Sequence, residues 1–241
     1  LMVDQQRPEF HEHLEEIRQG IAAVSALVAE LCSRATDILL EGDLEGAAYL
    51  IEADDEIDRR CRELEEMCFT QIALQQPVAS DLRELVAGIK IIADVERSAD
   101  LCANICKAAR RIFSHELGPQ LRGSLQRMGD QGHLLFRQAT EAYLHNSEVM
   151  AAALQDIDNY MDGLHRELFR TIFEAHHDGT IDLQVGVQLG LVARFYERIG
   201  DHAVNVGEHT RYIVSGWSPT HPYPESDNPV PNATGGPPDD S

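Results

Sequence analysis

Eight acidic residues fall into four pairs spaced i, i+4: Asp54 and Asp58, Glu96 and Asp100, Asp158 and Asp162, Glu197 and Asp201. On a helix this spacing stacks two side chains on one face with Cβ atoms ~5 to 6 Å apart. That is close enough for a pair to chelate one cation or bridge two. Two carboxylates ~4 Å apart repel by about 4 kcal/mol at an effective dielectric of 20, so crowded pairs must be solvated, protonated or neutralised by a cation. Oxygen donors of this kind suit Mg, Ca or Mn, and Fe where ions are bridged. The competing reading is a solvated groove, or ion pairs with neighbours such as Arg59, Arg97 and Arg198.

The pairs interrupt apolar stripes of helical period. One stripe reads Leu82, Val86, Ile89, Ala93, Glu96, Asp100, Ala103, a second Ala47, Ile51, Asp54, Asp58, Cys61, and a third Ala151, Leu154, Asp158, Asp162, His165. Such stripes are expected to face the core, with acid standing where an aliphatic residue belongs. Recurrence in four helices favours divalent or iron-type metal ions over chance solvated faces.

The positioning elements follow from caps and breaks. Pro8 followed by Leu14, Ile17, Ile21, Val24 and Val28 predicts a long first helix that stops before Glu41-Gly42-Asp43. A second begins near Asp43 and breaks at QQPVASD, where Pro77 removes a backbone donor. Asp81 is expected to cap the third, with Glu84 at the capping-box position, and this helix runs to about Ser114. Pro119 opens a fourth ending near Asn146, Ser147 and Glu148 begin a fifth that stops at HHDG, and the sixth spans Asp182 to about Val214.

The segments IIADVERSADLCANIC and LVARFYERIGDHAVNVGE align so that Glu96, Asp100 and Asn104 fall over Glu197, Asp201 and Asn205, each 101 residues on. Asp81 and Asp182 keep the same offset. The predicted fold is therefore all-α, two tandem three-helix-bundle repeats of six long helices, residues 1–115 and 116–214, followed by a proline-rich tail over 215–241 that is too poor in aliphatic residues to order itself.

Composition narrows the function. A formal charge of −21 repels a phosphate backbone and an anionic lipid surface alike, which argues against nucleic acid as a partner. The first residues carry no apolar leader and no stretch approaches the ~20 apolar residues of a membrane helix, so a cytoplasmic location is expected. The five cysteines lie inside apolar patterns without a Cys-x-x-Cys pair and read as reduced core residues. Glu174 and His177 form the one inviting Glu-x-x-His match and read as a helix-end pair, while His165 and His202 lack counterparts in the first half and are left out of the ligand set. No phosphate loop, nucleophile elbow or triad context appears, so an enzyme is not expected. The alternative is a carboxylate-bridged metalloenzyme, an oxidase or phosphohydrolase, using the same eight acids.

At this point the residues resemble the PhoU family. QQPVASDLRELVAGIKIIADVERSAD is similar to that family's first-repeat signature and ARFYERIGDHAVNVGE to its second, with E-x-x-x-D at Glu96/Asp100 and Glu197/Asp201 and D-x-x-x-D at Asp54/Asp58 and Asp158/Asp162. The resemblance covers nearly all of the chain except the tail. It implies a PhoU-like pair of three-helix bundles, multinuclear iron or other divalent metal sites, no enzymatic activity, and repression of phosphate-starvation genes. It also implies partners, a phosphate ABC transporter and a membrane sensor histidine kinase, met at the membrane periphery; whether the chain forms a homodimer is left open. One departure is VERSAD, where Ser98 and Ala99 stand in place of the Ile and Gly of ERIGD.

Overall fold

The computed structural model describes residues 3–216 and contains the six predicted helices: α1 (Val3–Glu41), α2 (Leu44–Gln75), α3 (Ala79–Ile112), α4 (Pro119–Leu144), α5 (Glu148–His177) and α6 (Leu183–Ser215). No strand occurs among the described residues, and the expected tail lies, beyond Gly216, outside them.

Local chemistry accounts for most helix ends. Asp43 caps α2 by accepting from the Gly46 backbone N–H at 2.8 Å. Ser147 and Asp182 cap α5 and α6, accepting from Met150 at 3.3 Å and Val185 at 2.8 Å. Each satisfies one of the orphan amides that open a helix. Pro119 occupies the first turn of α4, where a missing N–H costs nothing. Gly216 ends α6 at φ 75°, a left-handed turn that glycine enters without a Cβ clash.

Two ends depart from expectation. Helix α1 begins ahead of Pro8, whose fixed φ already suits a helix and whose lost hydrogen bond falls near the helix start. Asp81 does not cap α3. The helix starts after Val78, which makes no side-chain cap bond, and Asp81 falls inside the first turn, where its charge still complements the helix dipole. Glu84 likewise serves elsewhere: it accepts from Arg18 at 2.6 Å, and the Arg18 guanidinium lies 5.6 Å from the Tyr143 ring centre.

Packing has pseudo-two-fold order. Helix α2 contacts α1 and α3, and α5 correspondingly contacts α4 and α6, while α1 meets α4 and α3 meets α6 across the two halves. Helices α1, α3, α4 and α6 thus form an inner four, flanked by α2 and α5. Buried apolar side chains from both halves join in one continuous core. The inner helices approach closely. Tyr196 Oη and Thr36 Oγ1 are hydrogen-bonded at 2.7 Å in this core, and a Cβ added to Gly129 would stand 2.1 Å from Thr36 Oγ1.

Gly129→Ala should therefore destabilise the protein by about 1–3 kcal/mol, the usual range for overpacking. Gly123→Ala, where nothing lies within 4 Å of the added Cβ, should be neutral or stabilising by up to ~1 kcal/mol through helix propensity. Urea unfolding of the two variants beside the parent checks the contrast.

Candidate metal centres

The short connection at Pro77 folds α3 back along α2, so their acidic pairs meet in crossed order. Asp54 feels the charge of Asp100 before that of Asp58, and Glu96 feels Asp58 before Asp100. Burial, then the charges of Asp100 and Asp58, push the Asp54 carboxyl up to about 6, with Lys107 pulling the other way. Asp58 and Glu96 are raised too, again by burial first and then by the facing acids. Asp54 Oδ1 is buried without a hydrogen-bond partner.

The second cleft, between α5 and α6, repeats the arrangement. Asp158 is only 8% exposed, and burial followed by Asp201, Asp162 and Glu197 pushes its carboxyl up to about 6. Its Oδ1 lies 2.4 Å from the point where a Cβ on Gly200 would stand, so glycine makes the room that this carboxylate fills. The matching position in the first half is Ala99. The eight predicted acids thus line two clefts, four to each, where they act on one another electrostatically.

The clusters do not face the core. Helix α3 touches α1, α2 and α6, so most of its circumference is apolar and periodicity alone cannot single out one face. Most of the α3 stripe expected to be buried is the cleft wall: Leu82 is 38% exposed, Val86, Ile89, Ala93 and Glu96 are half-buried and Asp100 is exposed, while Ala103 at its end is buried. Asp162 and Asp201 are exposed as well, with Asp54, Asp58 and Glu197 half-buried and Asp158 alone buried. The acids line the mouths of two clefts.

Arginine does not neutralise them as a set. Arg59 pairs with Glu56 and Glu63, and Arg97 stands 3.8 Å from Asp94. Arg194 pairs with Glu197, and among the described residues no ion pair reaches the other seven. Among the described residues, too, no three His, Cys, Asp or Glu side chains are drawn together closely enough to hold a metal ion as they stand.

Sequence reasoning passed over one polar network. Asp94, 4% exposed on α3, accepts from His202 at 2.9 Å and from Asn205 at 3.3 Å, with His209 Nε2 at 3.6 Å, all three on α6. Burial alone would push this carboxyl up, yet hydrogen bonds from His202 and His209, the His202 charge and Asn205 hold it at about 2. The available signal was a lone acid inside the apolar run IIADV, whose counterpart in the second half is Phe195. Glu65 was also missed. It adds a further negative charge beside Glu96 and the buried Cys61, whose thiol is pushed up to about 12 by burial and then by Glu96 and Asp58.

The five cysteines are free and buried, as expected from their apolar settings. No described helix is long and apolar enough to cross a membrane.

Comparison with known proteins places these features in company. The PhoU domain profile matches residues 21–109 and 125–210, one match in each half. The chain is 33% identical over 215 residues, 89% of its length and 96% of the relative's, to the phosphate-specific transport system accessory protein PhoU homolog 1 of Mycobacterium tuberculosis. It is 28% identical over 218 residues, 90% of the chain and 92% of the relative, to a PhoU homolog of Rhizobium meliloti. The crystal structure of PhoU from Pseudomonas aeruginosa superposes with a TM-score of 0.81 at 26% identity, covering 86% of this chain and 100% of that one. The phosphate transport system regulatory protein PhoU from Streptococcus pneumoniae gives 0.79 at 25%, covering 86% and 98%.

A carboxyl whose pKa is raised on folding weakens the native state once the pH exceeds its unfolded value near 3.9, and the full penalty is in place above the folded value. Lowering the pH from about 7.5 to about 5 should therefore raise the melting temperature of chelator-treated protein as Asp54 and Asp158 take up protons. Asp54→Asn/Asp158→Asn should melt higher than the parent at the upper pH and lose part of that rise. Calorimetry at both pH values reads it, and a pH dependence identical to the parent's would contradict the crowding of acids.

Proposed function

The chain belongs to the PhoU family, and on that premise we propose that it is a metal-binding accessory regulator of a phosphate-specific transport system. It links the phosphate ABC transporter to a sensor histidine kinase and represses the phosphate-starvation response when phosphate is plentiful. The observation that carries this reading is the match of both halves, acidic pairs included, to a family whose named members are accessory and regulatory proteins of phosphate transport. Those names also support an adaptor rather than an enzyme.

The donor set supports metal. Each cleft offers four carboxylates, two of the eight are pushed up to about 6 by crowding and burial, and Asp54 Oδ1 is buried with no partner. Asp54, Asp58, Glu96 and Asp100 would hold one site, and Asp158, Asp162, Glu197 and Asp201 the other. A bound divalent or iron-type ion supplies the positive charge that lets all four acids ionise together. Because no three donors converge as they stand, the side chains must turn between staggered rotamers to close on an ion, which half-exposed positions at a cleft mouth allow.

Two experiments separate the parts of this reading. Deleting the gene should derepress phosphate-uptake genes in phosphate-rich medium, and unchanged expression would overturn the regulatory role. Elemental analysis after metal loading should find less metal in Asp100→Asn/Asp201→Asn than in the parent. Equal content would remove the metal assignment and leave the regulatory one standing.

A further inference from the structure

The two halves differ beside their acidic clefts. In the second half, Phe169 and Phe173 of α5 and Val187 and Leu191 of α6 line a groove of about 490 Å³, with Gly186 and Gly190 between them. Phe173, Leu183 and Val187 are each more than half exposed. In the first half, the positions 101 residues before the two glycines hold Leu85, which is buried, and Ile89, which is half-buried. Glu65 and Lys90 stand there in place of Phe169 and Leu191. The first half thus fills and breaks up with side chains the surface that the second half leaves open and apolar.

Packing does not demand these glycines. A Cβ on Gly186 would stand 3.5 Å from Ile172 and one on Gly190 3.5 Å from Phe169, both ordinary contacts. Glycine is a poor helix former, so two of them one turn apart weaken α6 and leave room above it. An open apolar groove bordered by charge marks a surface that something covers. Charge says what kind of partner that is. On α5 Asp158 and Asp162 lead at helical spacing through His165 to Phe169, and on α6 Leu191 leads through Arg194 to Glu197 and Asp201, so the groove runs on into the acidic cleft. Arg194 is taken by Glu197, whereas Asp162 and Asp201 are exposed and no ion pair among the described residues reaches them. A second copy would bring another −21 against this acidic end, and the tail over 215–241 brings Glu225, Asp227, Asp239 and Asp240 with no lysine or arginine. Neither complements it.

Resting on the reading of the chain as an accessory protein that works through contact, we propose that the α5–α6 groove receives an amphipathic helix of a partner protein. Its bulky apolar side chains, at i, i+3, i+4 and i+7, fill the space over Gly186 and Gly190, and its lysines or arginines, two to three turns on, meet Asp162 and Asp201. The surface from Phe173 to Asp158 is about 22 Å long at ~1.5 Å per residue, the length of about four helical turns. Apolar anchors supply the affinity, and the acidic end steers the partner and fixes which way it lies.

The test uses the full chain, with chelator present, and a fluorescein-labelled helical peptide of about 20 residues that carries leucines at i, i+3, i+4 and i+7 and lysines about three turns on. Fluorescence anisotropy should show binding to the parent, and Gly186→Leu/Gly190→Leu, which fills the groove as Leu85 and Ile89 fill the first half, should weaken it at least about 10-fold. Asp162→Asn/Asp201→Asn should weaken it at least about 3-fold and flatten its dependence on salt, and a peptide with glutamates for the lysines should bind at least about 10-fold more weakly. In the unmutated chain, 13C-methyl NMR should show Leu183, Val187 and Leu191 moving in step with the lysine peptide, so the outcome does not hang on the folding of the leucine variant. Absence of binding, still methyls at saturation, or equal affinity in the filled groove overturns the docking site. Equal binding of the glutamate peptide overturns the basic partner, and methyl shifts that follow the protein's own concentration without peptide make a second copy the occupant and overturn the partner helix. Derepression on gene deletion beside any of these results leaves the regulatory reading standing and removes the groove alone.

Discussion

The seam between α3 and α6 fixes where everything else stands. Each of these helices packs on the other along the pseudo-two-fold, and each also forms one wall of an acidic cleft, α3 with α2 and α6 with α5. A shift along the seam would carry both clefts with it. Most of that seam is aliphatic, which packs tightly but allows sliding, and the deeply buried exception is Asp94. Its carboxylate takes bonds from His202 and Asn205, with His209 close by, and holds α3 in register against three positions of α6. An ionised, hydrogen-bonded carboxylate this deeply buried demands its partners, because leaving it unmatched costs far more than a missing methyl group.

The clefts obey the opposite logic. Apolar packing draws α2 onto α3 and α5 onto α6, and the same approach forces like charges together at the cleft mouths. The compromise is visible in exposure: the inner acids, Asp54 and Asp158, carry the raised pKa values of about 6, while Asp100, Asp162 and Asp201 reach solvent. Acid clustered at the edge of a well-packed seam is tolerable because water screens half of it, and it responds to cations because the inner half is dry.

Much of this was legible in the amino-acid order. Pro77, Pro119, Ser147 and Asp182 marked helix ends by mechanisms that act within a turn, and the structure places ends there. The eight acids were legible for the same reason, since i, i+4 spacing fixes neighbours on a helix whatever it packs against. Facing was not. Helix α3 is buried on several sides, so the stripe through Glu96 and Asp100 read as core although it borders solvent. Asp81 shows a related failure: the offset shared with Asp182 suggested a shared cap, yet the chain enters α3 one turn earlier through Val78. The Asp94 network depends on contacts more than a hundred residues apart and left only an acid in an apolar run as a trace.

The single core running through both halves bears on how such a chain arises. One repeat by itself would leave bare the apolar faces of α1 and α3 that meet α4 and α6, faces that a second copy of the repeat could cover. An ancestral homodimer of that kind is bound to symmetry: every change in one acidic cleft appears in the other. Joining the two copies in one chain replaces a concentration-dependent encounter by an intramolecular one of roughly millimolar effective concentration. It also releases the halves from identity, so that Cys61 and Glu65 stand on one side where His165 and Phe169 stand on the other, and Ala99 where the second side has Gly200.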